Sequence, residues 1–173
     1  MSVIYRTYME EIPEKFRGLI GACFVRPVGG LWGCRGDEWK EYVLSDKRKE
    51  IEPDYPLERL NHCFEWKLKK GTKVFTINSE KDFVYLVENY FKKFRNKDLC
   101  EINYKKFSKD YDAIEVTQRA LDLMGNGCNF YGGYTYQWQL KMAYLYRVGL
   151  MRWDVPSICV LNTDKVRIIK EIK

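Results

Sequence analysis

"HCFEWKLKKGTKVFTI", His62 to Ile77, decides the fold class. Its first seven residues alternate: His62, Phe64, Trp66 and Leu68 share one face, and Cys63, Glu65 and Lys67 share the other. That is the period of a β-strand. Lys70-Gly71 offers a turn, and "TKVFTI" is β-branched and aromatic, so the stretch predicts a hairpin. Immediately afterwards the period changes. Ser79 and Asp82 form a capping box with Asp in place of Glu, and Phe83, Leu86, Val87, Tyr90, Phe91 and Phe94 recur at helical spacing.

Working outward, "VIYRTY" (3–8) reads as a strand, and "GLIGACFV" (18–25) as a turn and an extended piece. Residues 30–34 read as a further strand, followed by a short helix through Leu44 that Asp37 would cap. "SDKRKEIEPDYPLERL" (45–60), charged and with two prolines, reads as an exposed connection. "INYKKFSKDY" predicts a short helix capped by Asn103, and "DAIEVT" a buried strand. Gly125 to Tyr134 is a glycine- and asparagine-rich loop, with a helix from Thr135 to about Val148. "PSICVLN" and "KVRIIKEIK" close the chain as strands. This pattern is neither βαβ alternation nor heptads. It predicts an α+β domain over residues 1–173, with mostly antiparallel strands in two small sheets around a cleft and three or four short helices.

The composition fits a packed globule: 173 residues, 46% hydrophobic and 16% aromatic. Thirty Lys+Arg against 24 Asp+Glu give a mild +6, which favours anionic partners without concentrating charge in one run. Six cysteines without a CxxC pair, and one histidine, argue against a zinc site and for six unpaired thiols. "MSVIYRTYMEE" lacks the layout of a signal peptide, and "GLIGACFV" is too short to span a bilayer. The expectation is a cytoplasmic protein without a membrane segment.

Several chemistries find no support. No GxGxxG joins a strand to a helix, and there is no GxxxxGK[ST], so the glycines of 125–133 lack the context of a phosphate loop. His62, among Phe64 and Trp66, reads as a core histidine, which leaves Cys-His and Ser-His nucleophile pairs without a base.

Three features remain. Arg6, inside the first strand, either forks phosphate or ribose oxygens or makes an edge ion pair. Trp32, in "VGGLWGC", either plugs the core or offers an indole face to a flat ring that the glycines let approach. Glu115, between Ile114 and Val116, is costly in so apolar a strand unless it is paired, functional or turned to solvent.

In this order the features resemble the ADP-ribosyltransferase superfamily, in its toxin-like or phage-encoded branch. "YR" at Tyr5-Arg6 resembles the arginine-type opening strand, and "GGLWGC" followed by "DEW" the second element. "KDYDAIEV" and "WDVPSICVLNTDKVRII" resemble the closing strands. The resemblance implies NAD as substrate, cleavage at the nicotinamide–ribose bond, and transfer of ADP-ribose to a protein or nucleic-acid acceptor. It implies Arg6 and Glu115 as catalytic residues, and Arg6, Thr7, Gly30, Trp32, Cys34 and Trp39 around the NAD, with no metal. Cys34 stands where the family usually has serine, and Ser157 where many bacterial relatives place the glutamate. Residues 125–152 have no counterpart. The alternative is a non-catalytic module on the same fold that binds nucleic acid or protein.

Overall fold

The computed structural model describes residues 3–9, 19–23, 26–51, 53–54, 56–93, 100–125, 153 and 155–172. The loop and helix expected between residues 126 and 152 lie outside these. The chain opens with strands β1 (Tyr5–Met9), β2 (Leu19–Cys23), β3 (Arg26–Gly29) and β4 (Leu31–Gly33), then helices α1 (Glu38–Leu44) and α2 (Asp46–Ile51). A 3-10 turn, Leu57–Leu60, leads to β5 (His62–Leu68), β6 (Val74–Ile77), α3 (Glu80–Tyr90), β7 (Phe91–Lys93) and β8 (Cys100–Ile102). Then follow α4 (Tyr104–Phe107), β9 (Ala113–Val116), α5 (Gln118–Gly125), β10 (Ser157–Val160) and β11 (Val166–Ile172). The fold is α+β. None of the described helices is long and apolar enough to cross a membrane.

Two sheets carry the architecture. The first has the order β1-β5-β11 and is antiparallel throughout. The second has the order β4-β10-β9-β6, antiparallel except for the parallel pair β6–β9. The hairpin expected from residues 62–77 does not form. β5 is the central strand of the first sheet, so β1 and β11 occupy both its edges and leave none for β6. The turn at Lys69–Thr72, with Gly71 at φ 84°, carries the chain into the second sheet instead. There β6 pairs with β9, which a parallel ladder permits only after a long crossover, supplied here by α3 to α4.

The sheets are sewn together where β1 meets β4. Arg6 N–H donates to the Cys34 carbonyl at 2.8 Å, and Cys34 N–H to the Arg6 carbonyl at 3.0 Å. Thr7 is buried beside this joint. Its hydroxyl donates to the Trp32 carbonyl and accepts from Trp66 Nε1 at 2.8 Å. Between the sheets lies one core of Tyr5, Leu31, Phe64, Trp66, Ala113, Ile158 and Val160, with Tyr5 and Trp66 stacked at 4.9 Å. A second, larger core lies on the far face of the four-stranded sheet. There Phe75, Ile77, Ile114 and Val116 meet Phe83, Leu86 and Val87 of α3, Phe107 of α4 and Ala120 of α5.

The local signals explain most elements. Ser79 caps α3 by accepting from Asp82 N–H at 3.4 Å, while the Asp82 carboxylate accepts from Ser79 Oγ and Asn78 N–H. Asn103 caps α4 by accepting from Lys106 N–H at 3.1 Å. The helical spacing overran α3, which was expected to reach Phe94. Phe91 turns extended (φ −76°, ψ 141°) and pairs with Ile102, so a short ladder replaces the last turn. Asp37 sits at the start of α1 as expected, but its side chain makes no cap. His62 was expected in a core. It stands half exposed at the open end of β5 and pairs with Glu171 at 3.0 Å.

Candidate functional site

Alternation along the strands sorts the expected site residues onto different faces. Tyr5 and Thr7 point between the sheets, opposite Trp66 and Phe64, while Arg6 and Tyr8 take the outer face of β1, opposite Glu65 and Cys63. In the second sheet Gly33, Ile158, Glu115 and Thr76 share the inner face, and Trp32, Cys159 and Ile114 share the face toward α3. Arg6, Trp32 and Glu115 are therefore not brought to one cleft. They stand on three strands, β1, β4 and β9, and period-two alternation turns them to three different surfaces.

Arg6 builds the outer cluster. Its Nε and Nη2 reach Glu65 Oε1 at 3.1 and 2.9 Å, and Nη1 reaches Asp37 Oδ1 at 2.8 Å. Tyr8 donates its hydroxyl to the same Asp37 oxygen, and Lys170 lies 3.4 Å from Glu65 Oε2. This is why Asp37 does not cap α1. The Tyr8 hydrogen bond and then Arg6 lower the Asp37 carboxyl below its ordinary range, and Arg6 does the same first for Glu65.

Depressed carboxyl values fix the sign of a pH effect. The stability these groups add is complete above ordinary carboxyl values and is lost as pH falls through the lowered ones. Because the cluster is partly solvated, Asp37→Asn should cost only about 0.2–1 kcal/mol at pH 7. The gap from wild type in urea melts should narrow as pH falls below the ordinary carboxyl range, and a gap that stays undiminished in acid would contradict the cluster's titration.

Glu115 builds the inner cluster. Its side chain is 9% exposed, and Oε1 accepts from Arg35 Nε at 3.1 Å, Arg35 Nη2 at 2.7 Å and the Tyr5 hydroxyl at 3.3 Å. Oε2 accepts from Thr76 Oγ1 at 3.4 Å. Burial, and then the Glu115 charge, pushes the Tyr5 hydroxyl up to about 12, so it stays a donor. Arg35 differs from its partner in being 56% exposed at its side chain. The pair thus joins a buried carboxylate to a guanidinium that reaches solvent.

Arg35 was not foreseen, although a signal was present. Leu31, Gly33 and Arg35 share the parity of β4, and Leu31 and Gly33 face the inter-sheet core. The same parity argument marks Tyr5, rather than Arg6, as the residue of β1 facing Glu115.

The glycine-tryptophan stretch serves the interior. Trp32 packs against Trp153 at 4.9 Å and donates Nε1 to the Gly29 carbonyl at 3.1 Å. Gly30, at φ 75°, is approached by β10: an added Cβ would lie 2.7 Å from the Val160 carbonyl oxygen and 2.8 Å from Cys159 Sγ. The glycines admit the protein's own strands. Cys34 is buried in the β1–β4 joint, and burial and then Glu38 push its thiol up to about 12. Trp39 lies on α1 against Tyr42 at 5.8 Å. Cys34, Cys63 and Cys159 form no disulfide. The thiols of Cys23, Cys100 and Cys128 lie outside the described side chains.

Compared with protein-family models, curated proteins and solved structures, the chain finds no match.

Proposed function

We propose that the chain is an NAD-cleaving ADP-ribosyltransferase in which Glu115 is the acidic residue and Arg35, in place of Arg6, is the arginine beside it. One observation carries this reading. A carboxylate is buried on the inner face of an apolar strand, yet its strongest partner is a guanidinium open to water. Desolvating such a carboxylate is costly, and apolar replacement of a buried ion pair is often neutral or stabilising.

The chemistry required is modest. As nicotinamide leaves, the ribose gains oxocarbenium character, and a fixed carboxylate stabilises that charge and accepts from a ribose hydroxyl. Arg35 would release Oε1 by swinging outward to the NAD diphosphate, which a guanidinium grips in a fork. Tyr5 and Thr76 would hold the carboxylate in place meanwhile. The acceptor of ADP-ribose is a protein or a nucleic acid. Incubation of the wild-type chain with millimolar NAD should release free nicotinamide; no release, together with no NAD binding by calorimetry, overturns the reading.

A second reading has its own observation. Arg6 is held between two carboxylates, and both Glu115 oxygens already accept hydrogen bonds. Groups so satisfied suit a non-catalytic module on the same scaffold, which binds nucleic acid or protein through its basic, aromatic surface. Nicotinamide release separates the two.

A further inference from the structure

A hollow of about 470 Å³ opens on the far side of the second sheet, lined by Lys73, Tyr85, Asn89, Tyr90, Lys106, Asp110 and Tyr111. It is distinct from the Glu115 cluster. Lys73 stands just before β6, and Phe75, beneath the hollow, faces α3, whereas Glu115 faces the other sheet.

Its walls combine two kinds of group. Tyr85 stacks on Phe75 at 5.7 Å and 22°, meets the Tyr90 ring edge-on at 6.5 Å and bonds to the Tyr111 hydroxyl, and it is still 45% exposed, so a ring backed by the core meets solvent. Tyr90 and Tyr111 stand edge-on to one another at 6.3 Å. Two ammonium groups complete the rim. Lys106 Nζ lies 5.5 Å over the Tyr90 ring and donates to the Asn89 carbonyl at 2.7 Å. The Lys73 ammonium has no hydrogen-bond or ion-pair partner among the described residues. Among the described residues that line the hollow, the one carboxylate, Asp110, is engaged by the Tyr90 hydroxyl at 2.8 Å. The wall therefore offers an aromatic platform and two cations against one occupied anion.

We propose that this hollow binds a nucleotide, with its base on Tyr85 and its phosphate at Lys73 and Lys106, either free or as a residue of single-stranded nucleic acid. The volume lies in the range of small-molecule sites. Aromatic faces accept any base by stacking, and lysine meets phosphate as a point charge. The inference does not rest on NAD cleavage, since it uses none of the residues of that site.

The test is titration of the ¹⁵N-labelled chain with adenosine monophosphate, adenosine, inorganic phosphate and an adenine octaribonucleotide. Adenosine monophosphate should shift the amides of Lys73, Asn89 and Lys106, and should bind more tightly than adenosine or phosphate alone. Tyr85→Ala should weaken it about tenfold or more, and Tyr85→Phe should not, because stacking on an aromatic ring carries the base. Lys73→Ala should weaken the nucleotide and leave adenosine unchanged. An octanucleotide that binds far more tightly, with a steep salt dependence, identifies nucleic acid as the source; equal affinity identifies the free nucleotide. Shifts confined to Arg35 and Glu115, phosphate binding as well as the nucleotide, or indifference to Tyr85→Ala would each overturn the proposal.

Discussion

Gly33→Ala is expected to destabilise the fold by about 3 kcal/mol, although it adds only one methyl group. The position is not held by backbone strain. It is held by the indole of Trp66, which is wholly buried between the sheets: an added Cβ would lie 2.5 Å from Cζ2, 3.1 Å from Cε2 and 3.2 Å from the Arg6 carbonyl oxygen. Neither neighbour yields easily. The indole is fixed by its stack on Tyr5 and its bond to Thr7, and the carbonyl belongs to the bridge that joins the sheets. Trp66→Phe removes the two indole atoms that clash, at the cost of a cavity. In the double variant the two losses should add to less than their sum, a coupling of about 1 kcal/mol or more. Urea melts of the four chains measure it. Strict additivity would mean that the alanine is accommodated elsewhere, and that the sheets do not meet at Gly33.

The same contact shows why the fold was only partly legible in sequence. Alternation found β5 residue for residue, the capping residues found the starts of α3 and α4, and the apolar run of 113–116 found β9. These signals are local. What decides the partner of β5 is which of its edges are taken, and β1 and β11 lie some 60 and 100 residues away in the chain. A turn at Lys70-Gly71 looks the same whether it closes a hairpin or hands the chain to a second sheet. The end of α3 was missed for a related reason. Phe91 satisfies the helical period but finds its partner in β8.

The candidate site was legible by residue type and less so by face. Glu115 stood out because a carboxylate among Ile114 and Val116 needs a reason, and the structure supplies Arg35, Tyr5 and Thr76. Arg6 stood out for its chemistry, yet parity places it outside, where Asp37 and Glu65 hold it. Trp32 stood out for its glycines, which the sheet uses to bring β10 close. A residue type states what a side chain does once placed. Only counting alternation from the known inner positions, Trp66 and Leu31, tells on which surface it does so.

Glu115→Gln therefore carries the greatest weight for function, with an expected slowing of nicotinamide release of about 10²–10³-fold. The change keeps the size of the side chain and removes its charge, so NAD affinity should remain within a few-fold while the rate falls. Structure should survive. Arg35 loses a partner but is open to water, and the glutamine oxygen still accepts from Tyr5 or Thr76. The cost should be about 1–2 kcal/mol, too little to account for such a loss of rate. Arg35→Gln should act on the other parameter. It should raise the KM for NAD, because the diphosphate loses its fork, and lower kcat less than Glu115→Gln does. Arg6→Gln is the control from the outer cluster, and should leave both parameters near wild type. If Arg6→Gln abolishes release while Glu115→Gln leaves it intact, the reacting ribose lies on the outer face of β1. The acid must then be sought at Asp37, Glu38 or Glu65, of which Glu38 alone has its carboxyl raised, by burial.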